Sequence, residues 1–105
     1  MFPGATDDRE AAQYVLLGAP LDASTSFVPG TRFGPDRLRR YAEPFDDYDR
    51  RTDSFFSDHA VHDAGDLRPW DDVVEYLDFL AGELGDVRRD GATPVVLGGE
   101  HTVTY

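Results

Sequence analysis

The sequence contains neither cysteine nor lysine, and each absence removes a class of chemistry. Without cysteine the chain forms no disulfide and no thiolate metal site, so a metal would be bound by His, Asp and Glu, ligands that suit Mn, Fe or Zn. No apolar run approaches the roughly 20 residues that span a bilayer, so no membrane partner is expected. The N-terminal residues 1–13 are acidic and polar, unlike a secretory signal, and they predict a cytoplasmic protein with an exposed, frayed N-terminal arm.

The charge is strongly one-sided. The chain has 21 acidic against 10 basic residues, all of them Arg, and its net charge is −11. Such a negative field disfavours nucleic acid as a partner. At about 1 M salt the Debye length falls to about 3 Å and self-repulsion fades, so the composition predicts a halophilic protein. The alternative is an acidic protein from a GC-rich genome, in which codon bias replaces Lys by Arg.

The first half of the chain predicts one strand, one helix and a weaker second strand. The apolar run Tyr14–Gly18 is typical of a strand that is buried on both faces of a parallel sheet. A long loop follows, and Gly34-Pro35 then opens a helix that should reach about Tyr41. Residues 43–58 are polar and Asp-rich and are predicted to be irregular, whereas Ala60–Ala64 forms a weak strand.

The second half predicts a long amphipathic helix and a third strand. Apolar residues at helical spacing form one stripe: Trp70, Val73, Val74, Leu77, Leu80, Ala81, Leu84 and Val87. Pro69 stands at the expected first turn, and Gly91 closes the helix in a left-handed conformation. Pro94–Gly99 is another apolar strand. The alternation of strands and helices predicts an α/β fold with a parallel sheet in a chain long enough for one small domain.

The carboxyl ends of parallel strands share one rim of the sheet, and chemistry gathers there. Three polar segments follow the predicted strands: Asp22, Gly65-Asp66 and Gly98–His101. In the last of these, two glycines permit a sharp turn and His101 follows at the mouth of the strand. Neutral imidazole is the commonest metal ligand, and a nearby carboxylate, of which Glu100 is one, commonly orients such a ring. The alternative is a Gly-Gly turn followed by a helix in which His101 is merely solvated.

Several motifs resemble those of the ureohydrolase (arginase/agmatinase) family. Gly98–Thr102, GGEHT, resembles the GG(D/E)H(S/T) signature and is similar to its agmatinase branch. Gly18–Arg39 resembles the N-terminal block GxPxD–loop–PGxRxGPxx(I/L)R, with Leu21 where an aromatic residue often stands. Asp63-Ala-Gly-Asp66 lies where the family tends to show D-x-G-D. The resemblance covers residues 14–105 in the family's order.

This resemblance implies the N-terminal part of a three-layer α/β/α ureohydrolase fold, with residues 1–105 forming the N-terminal portion of a single arginase-like domain. It implies that His101 is the first ligand of a two-manganese cluster, whose bridging hydroxide attacks a guanidinium carbon. The implied activity is agmatinase-like hydrolysis of a small guanidinium substrate, agmatine, to putrescine and urea. Arginase, guanidinobutyrase or another ureohydrolase is the alternative within the family. The complete protein is expected to be a homo-oligomer, a trimer or hexamer.

The family's other ligand motifs, D-x-H-x-D and D-x-D-x-x-D-P, do not occur in this sequence. A single histidine cannot hold a binuclear cluster, so we expect a chain truncated after its first metal-ligand motif and inactive by itself. Its catalytic and substrate-binding residues are therefore unknown. One alternative is a non-catalytic remnant or assembly subunit. A nucleotide-binding half-domain is disfavoured because no glycine-rich phosphate motif follows a strand.

The remaining polar residues are predicted to be structural. Arg32 and Arg39 can pair with carboxylates in forked geometry, and this is favoured over contact with substrate. Asp22 is expected to support the loop at the rim rather than to bind a metal. His59 and His62 belong to no matched motif and are interpreted as surface or core histidines.

Overall fold

The computed structural model describes residues 1–21, 31–68 and 72–98. Its elements, in chain order, are β1 (Tyr14–Ala19), α1 (Gly34–Ala42), β2 (Tyr48–Asp49), β3 (Ser54–Phe55), β4 (Val61–Asp66), α2 (Val73–Arg89) and β5 (Thr93–Gly98). Short 3-10 turns at Thr31–Phe33 and Phe56–His59 precede α1 and β4. None of the helices in these ranges has the length and apolar character needed to cross a membrane.

The main sheet is parallel and has the strand order β4-β1-β5. Strand β1 is central, and all of its residues after Tyr14 are buried, as the apolar run predicted. Both neighbours pair with it in parallel, and Gly18 stands opposite Asp66 on one side and Leu97 on the other. The predicted α/β class and parallel sheet are therefore confirmed.

Helix α2 covers one face of the sheet. Asp72 caps its first turn, since the carboxylate accepts from the Glu75 N–H at 3.1 Å. Gly91 ends it with a φ of +87°, as predicted. The apolar side chains of α2 form two clusters with β1: Leu80 meets Leu17 and Ala19, and Val87 meets Val15.

The predicted apolar stripe is confirmed at Leu80, Leu84 and Val87, but Val74, the exposed Ala81 and the predicted start of α2 need correction. Val74, placed in the apolar stripe by sequence, is 70% exposed, whereas Tyr76 is fully buried. The Tyr76 hydroxyl donates to the Leu67 carbonyl at 2.6 Å, so its polar group is satisfied in the core beside the predicted stripe. The helix begins at Val73, while the predicted first-turn residues Pro69 and Trp70 lie outside the described residues.

The N-terminal arm is not exposed and frayed, and that prediction was wrong. Ala5 is 1% exposed and packs with Leu16 and Val61. Thr6 forms an antiparallel bridge with His62, and the Asp7 N–H donates to the Val61 carbonyl at 3.0 Å. The arm therefore lies against the outer edge of β4.

Residues 43–58 are also more regular than predicted. Strands β2 and β3 pair in an antiparallel hairpin, and Tyr48 stands opposite Phe55. The Asp-rich composition helps to form this hairpin, because aspartates accept from nearby backbone N–H groups. Asp49 accepts from the N–H of Arg51 at 2.9 Å, and Asp47 accepts from the N–H of Ser57 at 2.9 Å.

Candidate functional site

The three predicted rim segments lie at the same end of the sheet, as far as they are described. Strand β1 ends at Ala19, β4 at Asp66 and β5 at Gly98, and Ala19 is the register partner of Gly98. Neighbouring strands are about 4.8 Å apart, so the chain leaves the sheet at adjacent points. The GGEHT motif starts at this rim, because its first residue is Gly98.

The predicted metal ligand His101 lies outside the described residues, together with Glu100 and Asp22. Within residues 1–21, 31–68 and 72–98, no three His, Asp or Glu side chains are grouped so that they could hold a metal ion. The described part of the chain therefore does not itself form a metal site. The role of His101 stays a prediction.

At this end of the sheet lies an ion-pair group, the Arg39 cluster, which consists of Arg39, Asp63 and Asp66. Arg39 Nε and Nη2 each donate to one oxygen of Asp63 at 2.8 Å, which is the forked geometry predicted from the sequence. Arg39 Nη1 donates to Asp66 Oδ1 at 2.5 Å. The cluster therefore joins α1 to the end of β4, and the structural role predicted for Arg39 is confirmed.

Asp63 accepts as many hydrogen bonds as its carboxylate can take. Besides Arg39, the N–H groups of Gly65 and Phe2 donate to it at 2.9 and 2.7 Å. Its side chain is 2% exposed. Burial alone would raise the pKa of Asp63, but the hydrogen bonds from Arg39, Gly65 and Phe2 outweigh burial and lower it. A carboxylate with its lone pairs thus occupied is a structural anion, neither a base nor a metal ligand.

Gly18 allows the start of α1 and the end of β4 to meet above β1. A Cβ at Gly18 would collide with the Asp66 carboxylate and lie 3.0 Å from Pro35 Cβ. Only a residue without a side chain leaves room there for the start of α1 and the end of β4. In the sequence, Gly18 and Gly34-Pro35 belong to one motif and Asp63–Asp66 to another, and the structure brings both motifs into one packed unit.

A polar cleft of about 430 Å³ lies beside this unit and is lined by Pro20, Arg32, Phe33, Asp36, Asp66 and Arg68. The Arg32 guanidinium lies over the Phe33 ring, 4.7 Å from its centroid. Arg68 and Asp36 were not singled out from the sequence, because neither stands in a motif that carries chemistry. The choice between a structural role and substrate contact for Arg32 stays a prediction.

The two histidines outside the matched motifs make ordinary structural contacts. His62 Nδ1 is 2.9 Å from the Asp7 carbonyl oxygen, and the His59 ring packs edge-on against Phe56. These contacts fit the surface or core roles predicted for both histidines.

Burial, followed by the charge of Asp66, raises the pKa of Tyr76 to about 12, so the Tyr76 hydroxyl stays a donor to Leu67.

Comparison with known proteins gives a consistent result. A sequence model of the arginase family matches residues 12–105. The chain is 31% identical over 106 residues to the agmatinase of Bacillus subtilis strain 168, a match that covers 100% of this chain and 37% of that protein. It therefore spans little more than a third of the relative's length.

Solved structures agree with the fold. The agmatine ureohydrolase of Thermoplasma volcanium superposes with a TM-score of 0.93 at 29% identity, over 98% of this chain and 35% of that one. A formiminoglutamase of Trypanosoma cruzi, determined with Mn²⁺, superposes with a TM-score of 0.79 over 95% of this chain and 36% of that one. At 23% identity the latter supports the fold alone.

Proposed function

This chain belongs to the arginase family, and on that premise we propose that the whole protein is an agmatinase-like ureohydrolase that hydrolyses agmatine to putrescine and urea. Residues 1–105 form the N-terminal portion of its single arginase-like domain. The observation that carries the proposal is the convergence of three family-like motifs. Gly18, Gly34-Pro35 and the Arg39 cluster pack together at the rim where Gly98 begins the GGEHT motif.

We further propose that His101 is one ligand of a manganese site in the whole protein. The supporting feature is its position, three residues after Gly98 at the carboxyl rim of a parallel sheet. The family-like motifs D-x-H-x-D and D-x-D-x-x-D-P do not occur in this sequence, so we propose that the other ligands belong to such motifs elsewhere in the whole protein. We therefore expect the chain alone to be inactive.

The remaining proposals follow from the same premise and from composition. The complete protein is a cytoplasmic homo-oligomer, a trimer or hexamer, that contributes to polyamine biosynthesis. Its net charge of −11 supports a halophilic setting, in which high salt screens the acidic surface. The most specific part of the proposal is that the substrate is agmatine and not arginine or guanidinobutyrate.

The test is urea release from agmatine in the presence of Mn²⁺. First, the DNA beyond the codon for Tyr105 is sequenced, and an in-frame continuation with D-x-H-x-D and D-x-D-x-x-D-P is expected. The full protein should then release urea from agmatine, and the 105-residue chain should not. His101→Ala in the full protein should abolish both activity and tight Mn²⁺ binding, whereas His59→Ala, at an exposed histidine, should change neither.

Measurable urea release by the isolated chain would refute its expected inactivity. A full protein that prefers arginine or guanidinobutyrate would move it to another branch of the family. A stop codon directly after Tyr105 would instead favour a remnant or an assembly subunit.

A further inference from the structure

A pocket of about 590 Å³ lies between the N-terminal arm, the end of α1 and the β2–β3 hairpin. It shares no lining residue with the polar cleft beside the Arg39 cluster. None of the motifs marked in the sequence contributes a residue to it either. The proposed activity therefore leaves this pocket unexplained.

Aromatic side chains form much of the pocket wall, and four of them line it: Phe2, Phe45, Tyr48 and Phe56. The rings of Phe2 and Phe56 pack together with their centroids 5.8 Å apart. The Tyr48 ring packs on Phe55 at 5.3 Å, and its hydroxyl donates to Asp53 at 2.6 Å. Phe45 is 71% exposed, so burial in the core does not account for an aromatic residue there.

Gly4 brings the arm against this wall. Its φ is +82°, and a Cβ there would lie 2.6 Å from Phe56 Cδ1 and 3.0 Å from Asp47 Oδ1. Glycine alone adopts this backbone readily and leaves room for both side chains. Asp47 is itself held in place, because the N–H and the hydroxyl of Ser57 donate to its two oxygens at 2.9 and 2.6 Å. The shape of the pocket is thus set by specific contacts.

The charged groups at the pocket favour a cation. Three aspartates and two arginines line it, and the whole chain has a net charge of −11. Arg51 Nε lies 3.6 Å from Asp49 Oδ1, so these two charges offset one another. The lining then retains two carboxylates, Asp46 and Asp47, against one guanidinium, Arg50. Aromatic rings attract cations, and a nearby carboxylate strengthens that attraction.

We propose that this pocket binds a small organic cation, an alkylammonium or alkylguanidinium ion. Its charged end lies beside Asp46 and Asp47, and its alkyl chain packs against the aromatic side chains. The site does not depend on the proposed function, because its residues lie outside the family-like motifs and binding needs neither Mn²⁺ nor turnover.

The experiment is an NMR titration of the isotope-labelled 105-residue chain with butylguanidinium. Butylurea, which has the same shape without the charge, is the control ligand. The amide resonances of Gly4 and of residues 45–51 report on the pocket. We expect butylguanidinium to shift them with a Kd of about 1 mM, a value within reach of so small a ligand. Butylurea should bind at least about tenfold more weakly, and about 1 M KCl should weaken binding of the cation.

Phe45→Leu and Asp46→Asn should each raise the Kd for butylguanidinium about three- to tenfold, since one removes a ring and the other a carboxylate. Tyr41→Leu and Asp78→Asn are the matched controls. Tyr41 is 68% exposed on α1, Asp78 is exposed on α2, and neither lines the pocket, so both should leave the Kd unchanged. Arg50→Gln should lower the Kd, because it removes a positive charge from the lining.

Three results would overturn the proposal: no shift of the pocket resonances by butylguanidinium, equal binding of butylurea, or equal weakening by the pocket variants and their controls. Tighter binding of butyrate than of butylguanidinium would also overturn it, because the pocket would then select anions through Arg50. Urea release by the full protein bears on the proposed activity alone, so the two proposals can fail separately.

Discussion

The two outer edges of the sheet are built differently. At the β4 edge, Thr6 bridges to His62, and the Arg39 cluster holds the end of the strand to α1. At the β5 edge, the described residues provide no pairing strand. Val61 on β4 is 3% exposed, whereas Val95 on β5, on the same face, is 39% exposed.

This difference shows that the contacts the chain makes with itself are concentrated at the β4 edge of the sheet. Contacts between residues far apart in sequence complete the β4 side, including a hydrogen bond between Phe2 and Asp63. The β5 side presents apolar surface and, in the part of the chain that the structure describes, has no pairing strand; these are the features of a sheet that continues. Substitutions at the β4 edge, which is the closed edge, should therefore lower the free energy of unfolding much more than substitutions at the β5 edge, which is the open edge.

The largest effect is expected from Arg39→Met. The substitution keeps most of the side-chain volume but leaves two largely buried carboxylates without their partner. Removing one member of a buried ion pair costs about 3–5 kcal/mol in the free energy of unfolding. Urea unfolding of the chain, followed by circular dichroism, measures this loss.

Arg37→Met is the control for that experiment. Arg37 is exposed on the same helix, so its replacement should change the free energy of unfolding by less than about 0.5 kcal/mol. Equal losses in the two variants would show that the Arg39 cluster does not stabilise the closed edge.

A matched pair of Val→Ala substitutions compares the two edges directly. Val61→Ala leaves a cavity between Ala5 and Leu16, and we expect a loss of about 2–3 kcal/mol. Val95→Ala removes side-chain atoms that are already partly in water, and we expect a loss below about 1 kcal/mol. The same urea titration measures both. A larger loss at Val95 would mean that the β5 side is already covered in the isolated chain.

The elements that local sequence controls were predictable. The apolar run of β1, the Gly34-Pro35 start of α1 and the Gly91 end of α2 all carry local signals, and each was confirmed. The arm was not predictable, because Phe2 and Ala5 are isolated apolar residues whose burial depends on β4, more than 50 positions away. The β2–β3 hairpin was missed because strands of two residues show no periodicity.

In the candidate site, too, the features set by local sequence were predictable and those set by tertiary contacts were not. The pairing of Arg39 with carboxylates was predictable, since an arginine at the rim of so acidic a chain has partners nearby. The identity of those partners, Asp63 and Asp66, depends on the register between β1 and β4. On α2 most of the buried stripe was predicted, but the burial of Tyr76 was missed, because its hydroxyl is satisfied by a tertiary hydrogen bond to the Leu67 carbonyl that local sequence does not show.

The smallest of the three expected effects is on the pH dependence of stability. It tests whether the ionised carboxylate of Asp63 stabilises the closed edge. Its folded-state pKa lies below the value of about 3.9 for an unperturbed aspartate. Its contribution to stability is therefore fully present above the unfolded pKa and is lost as the pH falls through the folded pKa. Each unit of that difference in pKa corresponds to about 1.4 kcal/mol. Wild type should thus lose more stability than Asp63→Asn as the pH falls from about 6 through the unfolded pKa of about 3.9 and below it. If Asp63→Asn matched the wild-type slope instead, the pKa of Asp63 would be the same in the folded and the unfolded chain, and its ionisation would not stabilise the closed edge.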